Sequence, residues 1–268
     1  MLLAHISDLH LDGTERATER AARTVAYLNS LSRRPDAVLV TGDIADHGAP
    51  AEYAEAAELL ARLDAPFFTC PGNHDNRTAY RTALLGEAGE ASKAGESGEA
   101  GEAGGGPADD SAPAINRLHH AGGYALLLCD STIPGKDEGL FDDETLEWLA
   151  RTLDELGDTP ALPAFHHPPT VIHHPYLDSI NLTNAERLAE VLAGRTNVPA
   201  VLTGHAHTPT ATTFAGRPLL VAPGVVSTLR LPWESGETLT DQVAPPGVAF
   251  HVLGEGGGPI TTHFRVVP

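Results

Sequence analysis

Seven side chains able to hold a metal lie in five short stretches of this chain: Asp8 with His10, Asp43, Asn73, His166, and His205 with His207. They offer carboxylate oxygen, amide oxygen and imidazole nitrogen, and no thiolate. Such a set suits manganese, zinc or iron and disfavours copper(I) and iron–sulfur clusters. Several imidazoles also disfavour calcium and magnesium, which prefer oxygen alone. One tetrahedral site takes about four ligands. Seven donors with one shared carboxylate therefore supply about four to each of two ions, and the spacing predicts a two-metal centre.

The chemistry that follows is hydrolysis of a phosphate ester. Two aspartates and one hydroxide leave a pair of divalent ions with net positive charge, so the pocket stays cationic although the chain carries a formal net charge of −19. The ions lower the pKa of a coordinated water, aim the resulting hydroxide at phosphorus and neutralise charge growing on the phosphoryl oxygens. No serine, threonine or cysteine nucleophile is needed, and the protein supplies positioning and one proton donor. Asp8 and His10, two apart, point the same way in an extended segment and reach one ion. His205 and His207 share that spacing and reach different members of a close pair. Asn73 adds an oxygen without adding charge. His74, facing away from Asn73 in an extended segment, meets the substrate, with Asn73 beside it. Gly42, Gly72 and Gly204 permit tight turns near the site.

Each donor stretch closes a short apolar run. Leu2–Ser7, Ala37–Thr41, Pro66–Cys70, Leu162–Phe165 and Val198–Thr203 read as buried strands, as does Tyr124–Cys129. In α/β sheets, ligands collect beyond the carboxyl ends of strands. Ala17, Ala21, Val25, Leu28 and Leu31 fall on one helical face, and so do Leu146, Leu149, Leu153 and Leu156. Thr183-Asn184-Ala185-Glu186 predicts a capping box at the start of a further helix. After His207 the pattern turns to strands over Thr210–Phe214, Arg217–Ala222, Gly247–Leu253 and Ile260–Val267, with Ala215-Gly216 as a hairpin turn. The expected architecture is an α/β layered fold with helices outside sheets.

Composition narrows the partners. The 268 residues hold 17 Lys and Arg against 36 Asp and Glu, which disfavours nucleic acid and an anionic membrane surface. No apolar run approaches the ~20 residues of a membrane span. Residues 87–112 are built from Gly, Ala, Glu, Asp and Ser with one Lys and one Pro, and their seven acids against Lys93 give −6. This tract predicts a disordered surface insertion. Met1 to Ile6 reads as a first strand and not as a secretory leader, which places the protein in the cytoplasm. Two cysteines, Cys70 and Cys129, are expected to be reduced and buried. Asp46 and His47 are candidates to orient a ligand, and His167 is a candidate site residue. His173-His174 reads as a solvated loop, Arg230 as a conceivable phosphate contact, and His5, His119, His120, His251 and His263 as surface or strand residues.

The ordered set Asp8-x-His10, Gly42-Asp43, Gly72-Asn73-His74-Asp75, His166 and Gly204-His205-x-His207 resembles the calcineurin-like metallophosphoesterase superfamily. With His166-His167-Pro168-Pro169 it is most similar to bacterial class III cyclic nucleotide phosphodiesterases and related glycerophosphodiesterases. The motifs span residues 8 to 207. The resemblance implies a four-layer α-β-β-α sandwich forming a single domain over 1–268. It implies that Asp8, His10, Asp43 and His207 hold one ion and that Asp43, Asn73, His166 and His205 hold the other, with Asp43 bridging. His74 is then not a ligand but assists the leaving group or steadies the phosphate. The implied substrate is a small phosphodiester, foremost a 3′,5′-cyclic nucleotide such as cAMP. Glycerophosphodiesters or broad phosphomonoesters are the alternative, and a non-catalytic scaffold of the same fold is the alternative of another class. In such relatives the region beyond Arg217 often shapes a homo-oligomer.

Overall fold

A computed structural model describes residues 1–87 and 112–268. Apart from its end residues, the acidic tract 87–112 lies outside the described residues. Its ends are anchored: Glu87 pairs with Arg81 at 2.8 Å and Arg117 at 3.2 Å, and the Ala112 carbonyl accepts from Arg77 at 3.1 Å.

The first half alternates strand and helix: β1 (Leu2–Ile6), α1 (Glu15–Asn29), β2 (Ala37–Thr41), α2 (Pro50–Leu60), β3 (Phe67–Cys70) and α3 (Arg77–Leu84). Then come β4 (Arg117–Ala121), β5 (Tyr124–Leu128), α4 (Asp143–Leu156), β6 (Ala161–Ala164), α5 (Pro175–Asp178), α6 (Ala185–Leu192) and β7 (Val201–Thr203). The end of the chain is β8 (Thr210–Phe214), β9 (Arg217–Val221), the short ribbon β10 (Thr228–Leu229) with β11 (Thr240–Asp241), β12 (Gly247–Leu253) and β13 (Ile260–Val266). Side-chain caps fix where helices begin, because an oxygen there satisfies an otherwise free backbone N–H. Thr14 serves α1, Asn76 serves α3 and Asp142 serves α4.

Two sheets result. One has the order β13-β12-β1-β2-β3, the other β4-β5-β6-β7-β9-β8. Strands β1, β2 and β3 run parallel, as do β5, β6, β7 and β9, so their carboxyl ends gather at one end of each sheet. Period-two alternation gives each inner strand two apolar faces. Ala4, Ile6, Val38 and Val40 face α1, α2 and α3, while Leu3, Leu39, Leu126, Leu162 and Leu202 meet between the sheets. Leu127 packs on the far side against Leu146, Leu149 and Leu153 of α4 and Leu188 and Leu192 of α6. The layers are therefore helix, sheet, sheet, helix, as the motif resemblance implied.

Two local expectations give way. The strand expected over 198–203 begins only at Val201, because residues 198–200 form the loop entering it. The capping box at 183–186 does not form: Thr183 turns its hydroxyl to the Gly139 carbonyl at 2.8 Å, and Asn184 bonds the backbone of Phe141. Elements α2, α3 and β4 carry weaker signals. β4 is only partly covered on either face because it is an edge strand.

The interior makes stability depend on pH. His251 on β12 is fully buried, and burial depresses its imidazole to about 3. The unfolded chain takes up this proton near 6.5, and the folded chain refuses it until about 3. Its stabilising share is complete above 6.5 and is lost as pH falls, at about 1.4 kcal/mol per unit, or about 2 kcal/mol by about pH 5. The thermal midpoint is expected to fall over that interval, and His251→Phe to make the fall shallower. An unchanged pH slope in H251F would refute this.

Candidate metal centre

The donor stretches lie where the parallel strands end. Asp8 and His10 follow β1, Asp43 follows β2, Asn73 follows β3, His166 follows β6, and His205 and His207 follow β7. The β1 and β2 loops are zipped by backbone bonds, Asp8 N to Gly42 O at 3.1 Å and His10 N to Asp43 O at 2.9 Å. The backbone here is not extended. Asp8, His10, Asp43, His205 and His207 have φ of 56°, 41°, 48°, 67° and 53°. They are five of the seven non-glycine residues with positive φ among the described residues. Left-handed turns, and not strand alternation, aim Asp8 with His10 and His205 with His207. Each such position costs on the order of 1–3 kcal/mol, and such strain clusters at working sites. Gly42, at φ 85°, is irreplaceable for a second reason: a Cβ there would run into His166 Nδ1.

All seven donors converge. Asp8, His10, Asp43 and His207 each offer a ligand atom within 4.8 Å of the others. His10 Nε2 faces His207 Nε2 at 3.1 Å, and His207 Nε2 stands 3.5 Å from Asp8 Oδ1. On the other side, His166 Nε2 is 3.1 Å from Asn73 Oδ1 and 3.1 Å from His205 Nδ1. Asp43 Oδ2 joins the groups, 3.3 Å from His10 Nε2 and 3.2 Å from His166 Nε2. Four donors come from the five-stranded sheet and three from the other.

The donors fit cations on physical grounds. Both oxygens of the fully buried Asp8 have no hydrogen-bond partner, which is costly for a carboxylate. Facing ring nitrogens beside carboxylates can hold one proton between them, the weaker substitute for a metal. Burial works to lower His10, but Asp43, Asp46 and Asp8 outweigh it and hold it well above 6.5. Burial likewise opposes His166, which Asp43 and Asp8 raise to about 9. Their opposite numbers are neutral. Burial lowers His207 to about 4, and burial with His167 and His166 lowers His205 well below 6.5. Burial would raise Asp43, but His166, His74 and His10 hold it well below the usual carboxylate range.

Three of the four rings are aimed by their other nitrogen, the usual outer support of a metal-binding histidine, while His205 Nε2 has no hydrogen-bond partner. His10 Nδ1 donates to Asp46 Oδ1 at 2.7 Å, His166 Nδ1 to the Thr41 carbonyl at 2.7 Å, and His207 Nδ1 pairs with Ser227 Oγ at 3.0 Å. Asp46 is thus an orienting residue, while His47 turns instead to Glu52 at 2.7 Å. Asp46→Ala is expected to weaken Mn²⁺ binding ~10–100-fold in competition with a chelating dye. Wild-type affinity would deny Asp46 this part.

His74 lies with His10 and Asp46, each offering a ring nitrogen or carboxylate oxygen within 4.8 Å of the others. Its backbone N–H donates to Asp43 Oδ1 at 2.9 Å, and its Nδ1 donates to the Asp46 carbonyl at 2.7 Å, leaving Nε2 free on a side chain 40% exposed. His167 is fully buried beside His166 and His205, each offering a ring nitrogen within 4.8 Å of the others, and is held by Ser131 Oγ at 2.8 Å and the Asp137 carbonyl at 3.1 Å. The reading of His174 as solvated is overturned: it is buried and bonds the Arg230 carbonyl at 3.0 Å. Arg230 is no phosphate contact, since its guanidinium is consumed by Thr238, Thr240 and Asp241. Ser227 and Asp75 were missed by residue-level reasoning. Asp75 accepts from Gly72 N at 2.8 Å, Ala45 N at 3.1 Å and Tyr53 Oη at 3.0 Å, clamping the β2 and β3 loops together.

Comparison with known proteins agrees with this geometry. The profile of the calcineurin-like phosphoesterase family matches residues 1–209. A cAMP/cGMP dual specificity phosphodiesterase of Mycobacterium tuberculosis is 31% identical, over 96% of this chain and 80% of that protein. A glycerophosphodiester phosphodiesterase of Enterobacter lignolyticus is 30% identical, over 94% of this chain and 86% of its own. A 3′,5′-cyclic adenosine monophosphate phosphodiesterase of Escherichia coli is 32% identical, over 78% of this chain and 67% of its own. The crystal structure of a dimetal phosphatase from Danio rerio superposes with a TM-score of 0.64 at 15% identity, over 98% of both chains, which shows the shared fold.

Proposed function

Because the chain belongs to the calcineurin-like phosphoesterase family, we propose that it is a two-metal phosphodiesterase of small molecules, acting foremost on 3′,5′-cyclic nucleotides such as cAMP. The observation that carries the reading is Asp43 Oδ2, within 3.3 Å of His10 Nε2 and 3.2 Å of His166 Nε2, where one carboxylate can serve two ions. Asp8, His10, Asp43 and His207 would hold one ion, and Asp43, Asn73, His166 and His205 the other. The donor chemistry suits iron, manganese or zinc. When bound, the ions supply a nucleophile from water at neutral pH and offset negative charge on the phosphoryl oxygens.

The chain's own part is positional and protic. Asp46, the Thr41 carbonyl and Ser227 keep three of the four imidazoles pointed inward. Asp43 carries the His74 backbone in a fixed place. Since the Asp46 carbonyl occupies His74 Nδ1–H, Nε2 is the ring atom left to exchange a proton with the departing oxygen. Glycerophosphodiesters are the second reading, favoured by the relative of that name. No helix among the described residues is long and apolar enough to cross a membrane, and Cys70 and Cys129 are free and buried, which suits a reducing cytoplasm.

The test is a substrate panel with metal analysis on the same sample. Bis(p-nitrophenyl) phosphate and cAMP should be hydrolysed with Mn²⁺, silenced by chelator, and preferred over p-nitrophenyl phosphate. Reversed preference would point to a monoesterase, faster turnover of glycerophosphodiesters to the second reading, and metal-independent silence to a scaffold.

A further inference from the structure

Two histidines that the proposed chemistry does not use lie behind the centre, on the inter-sheet face of the five-stranded sheet. His5 on β1 and His251 on β12 are both 0% exposed. They form the middle of an unbroken polar run: Thr262 Oγ1 to His251 Nδ1 at 2.8 Å, His251 Nε2 to His5 Nδ1 at 3.1 Å, and His5 Nε2 to Thr41 Oγ1 at 2.8 Å. Burial keeps both rings neutral, so each has one donor and one acceptor, and both are used. An apolar group at each place would fill the seam with nothing left to satisfy.

The run ends on Thr41, whose backbone does separate work. Its carbonyl accepts from His166 Nδ1 at 2.7 Å and from Ser7 Oγ at 2.8 Å. Thr41 closes β2 of one sheet, and His166 follows β6 of the other, so this bond ties the two sheets together at the centre. The sheets touch here: a Cβ on Gly204 would collide with Ser7 Oγ and lie 2.6 Å from the Thr41 carbonyl. The supports of the rings assigned to the other ion are independent, since His10 rests on Asp46 and His207 on Ser227.

We propose that the His251–His5–Thr41 run is a positioning element for one ion of the pair, fixing Thr41 so that its carbonyl aims His166 Nε2 at the ion shared with Asp43, Asn73 and His205. The proposal rests on the two-ion reading above. It predicts selectivity: loosening the run weakens the ion at His166 and spares the ion at Asp8, His10 and His207. Loss of an outer support costs ~10–100-fold in metal affinity.

Calorimetric titration of the chelator-stripped protein with Mn²⁺ tests this. Wild type should bind two ions. Thr41→Val, which exchanges a hydroxyl for a methyl, should bind one as wild type and the other at least ~10-fold more weakly. Thr41→Ser should restore both, and His251→Phe should behave as T41V. T41V carries the test should H251F fail to fold. Wild-type affinity at both sites in T41V, or equal weakening of both, would overturn the proposal. A wild type that binds a single ion would overturn the two-ion reading instead, and this inference with it.

Discussion

Asparagine in place of Asp43 is expected to abolish hydrolysis and to cost both ions together, a larger effect than any other single substitution in the chain. Asp43 Oδ2 is the one oxygen within 3.3 Å of an inward-facing ring nitrogen in each group. The amide keeps the shape and removes the charge, leaving Asp8 as the only carboxylate among the seven donors. Removing an outer support costs ~10–100-fold in metal affinity, and a shared inner carboxylate must exceed that at each ion. Asp43 also holds the His74 backbone and is itself held low by His166, His74 and His10, so its loss disturbs both the donors and the proton carrier. Metal content and turnover of D43N, measured on one preparation, give the answer. Two tightly bound ions in D43N would break the bridging assignment.

Alanine at His74 is expected to do the opposite with metal. Turnover falls ~10²–10⁴-fold, the usual worth of a positioned proton donor, while both ions stay. The geometry demands this separation. His74 anchors its Nδ1 on a backbone carbonyl, and its ring makes no hydrogen bond to any of the seven donors. The deficit should shrink for substrates with good leaving groups, such as bis(p-nitrophenyl) phosphate, because their oxygen departs without a proton. A uniform deficit across leaving groups would favour phosphate steadying over proton donation, and loss of both ions from H74A would remove the assigned role altogether.

The candidate donors were legible because metal chemistry restricts residue types so sharply. Few strands end in Asp, Asn or His by chance, and here five did so, each after an apolar run too short for anything but a strand. A layered α/β fold with helices outside sheets followed from the same alternation, whereas the four layers followed from the motif resemblance. The aiming of the donors was not legible. Asp8 and His10 read as extended neighbours, yet both are left-handed, a conformation imposed by bonds to the β2 loop and not by their own preference. His5 was equally opaque. Alternating with Ala4 and Ile6, it reads as an ordinary strand residue, and nothing local announces a partner 246 residues away. Asp46 announced itself only weakly, because what makes it a support is the ring of His10 lying against it.

The left-handed donors set endurance against chemistry. A glycine would sit at φ 56° without strain, and at residue 8 it would also take away a buried carboxylate whose oxygens find no bond in the protein. Asp8→Gly should therefore raise the melting temperature of the chelated protein while ruining it as a catalyst. Lineages released from the need to hydrolyse would be free to drift that way, so glycine at residues 8, 10, 43, 205 or 207 in a related chain would mark a fold kept for its sturdiness after its trade was given up.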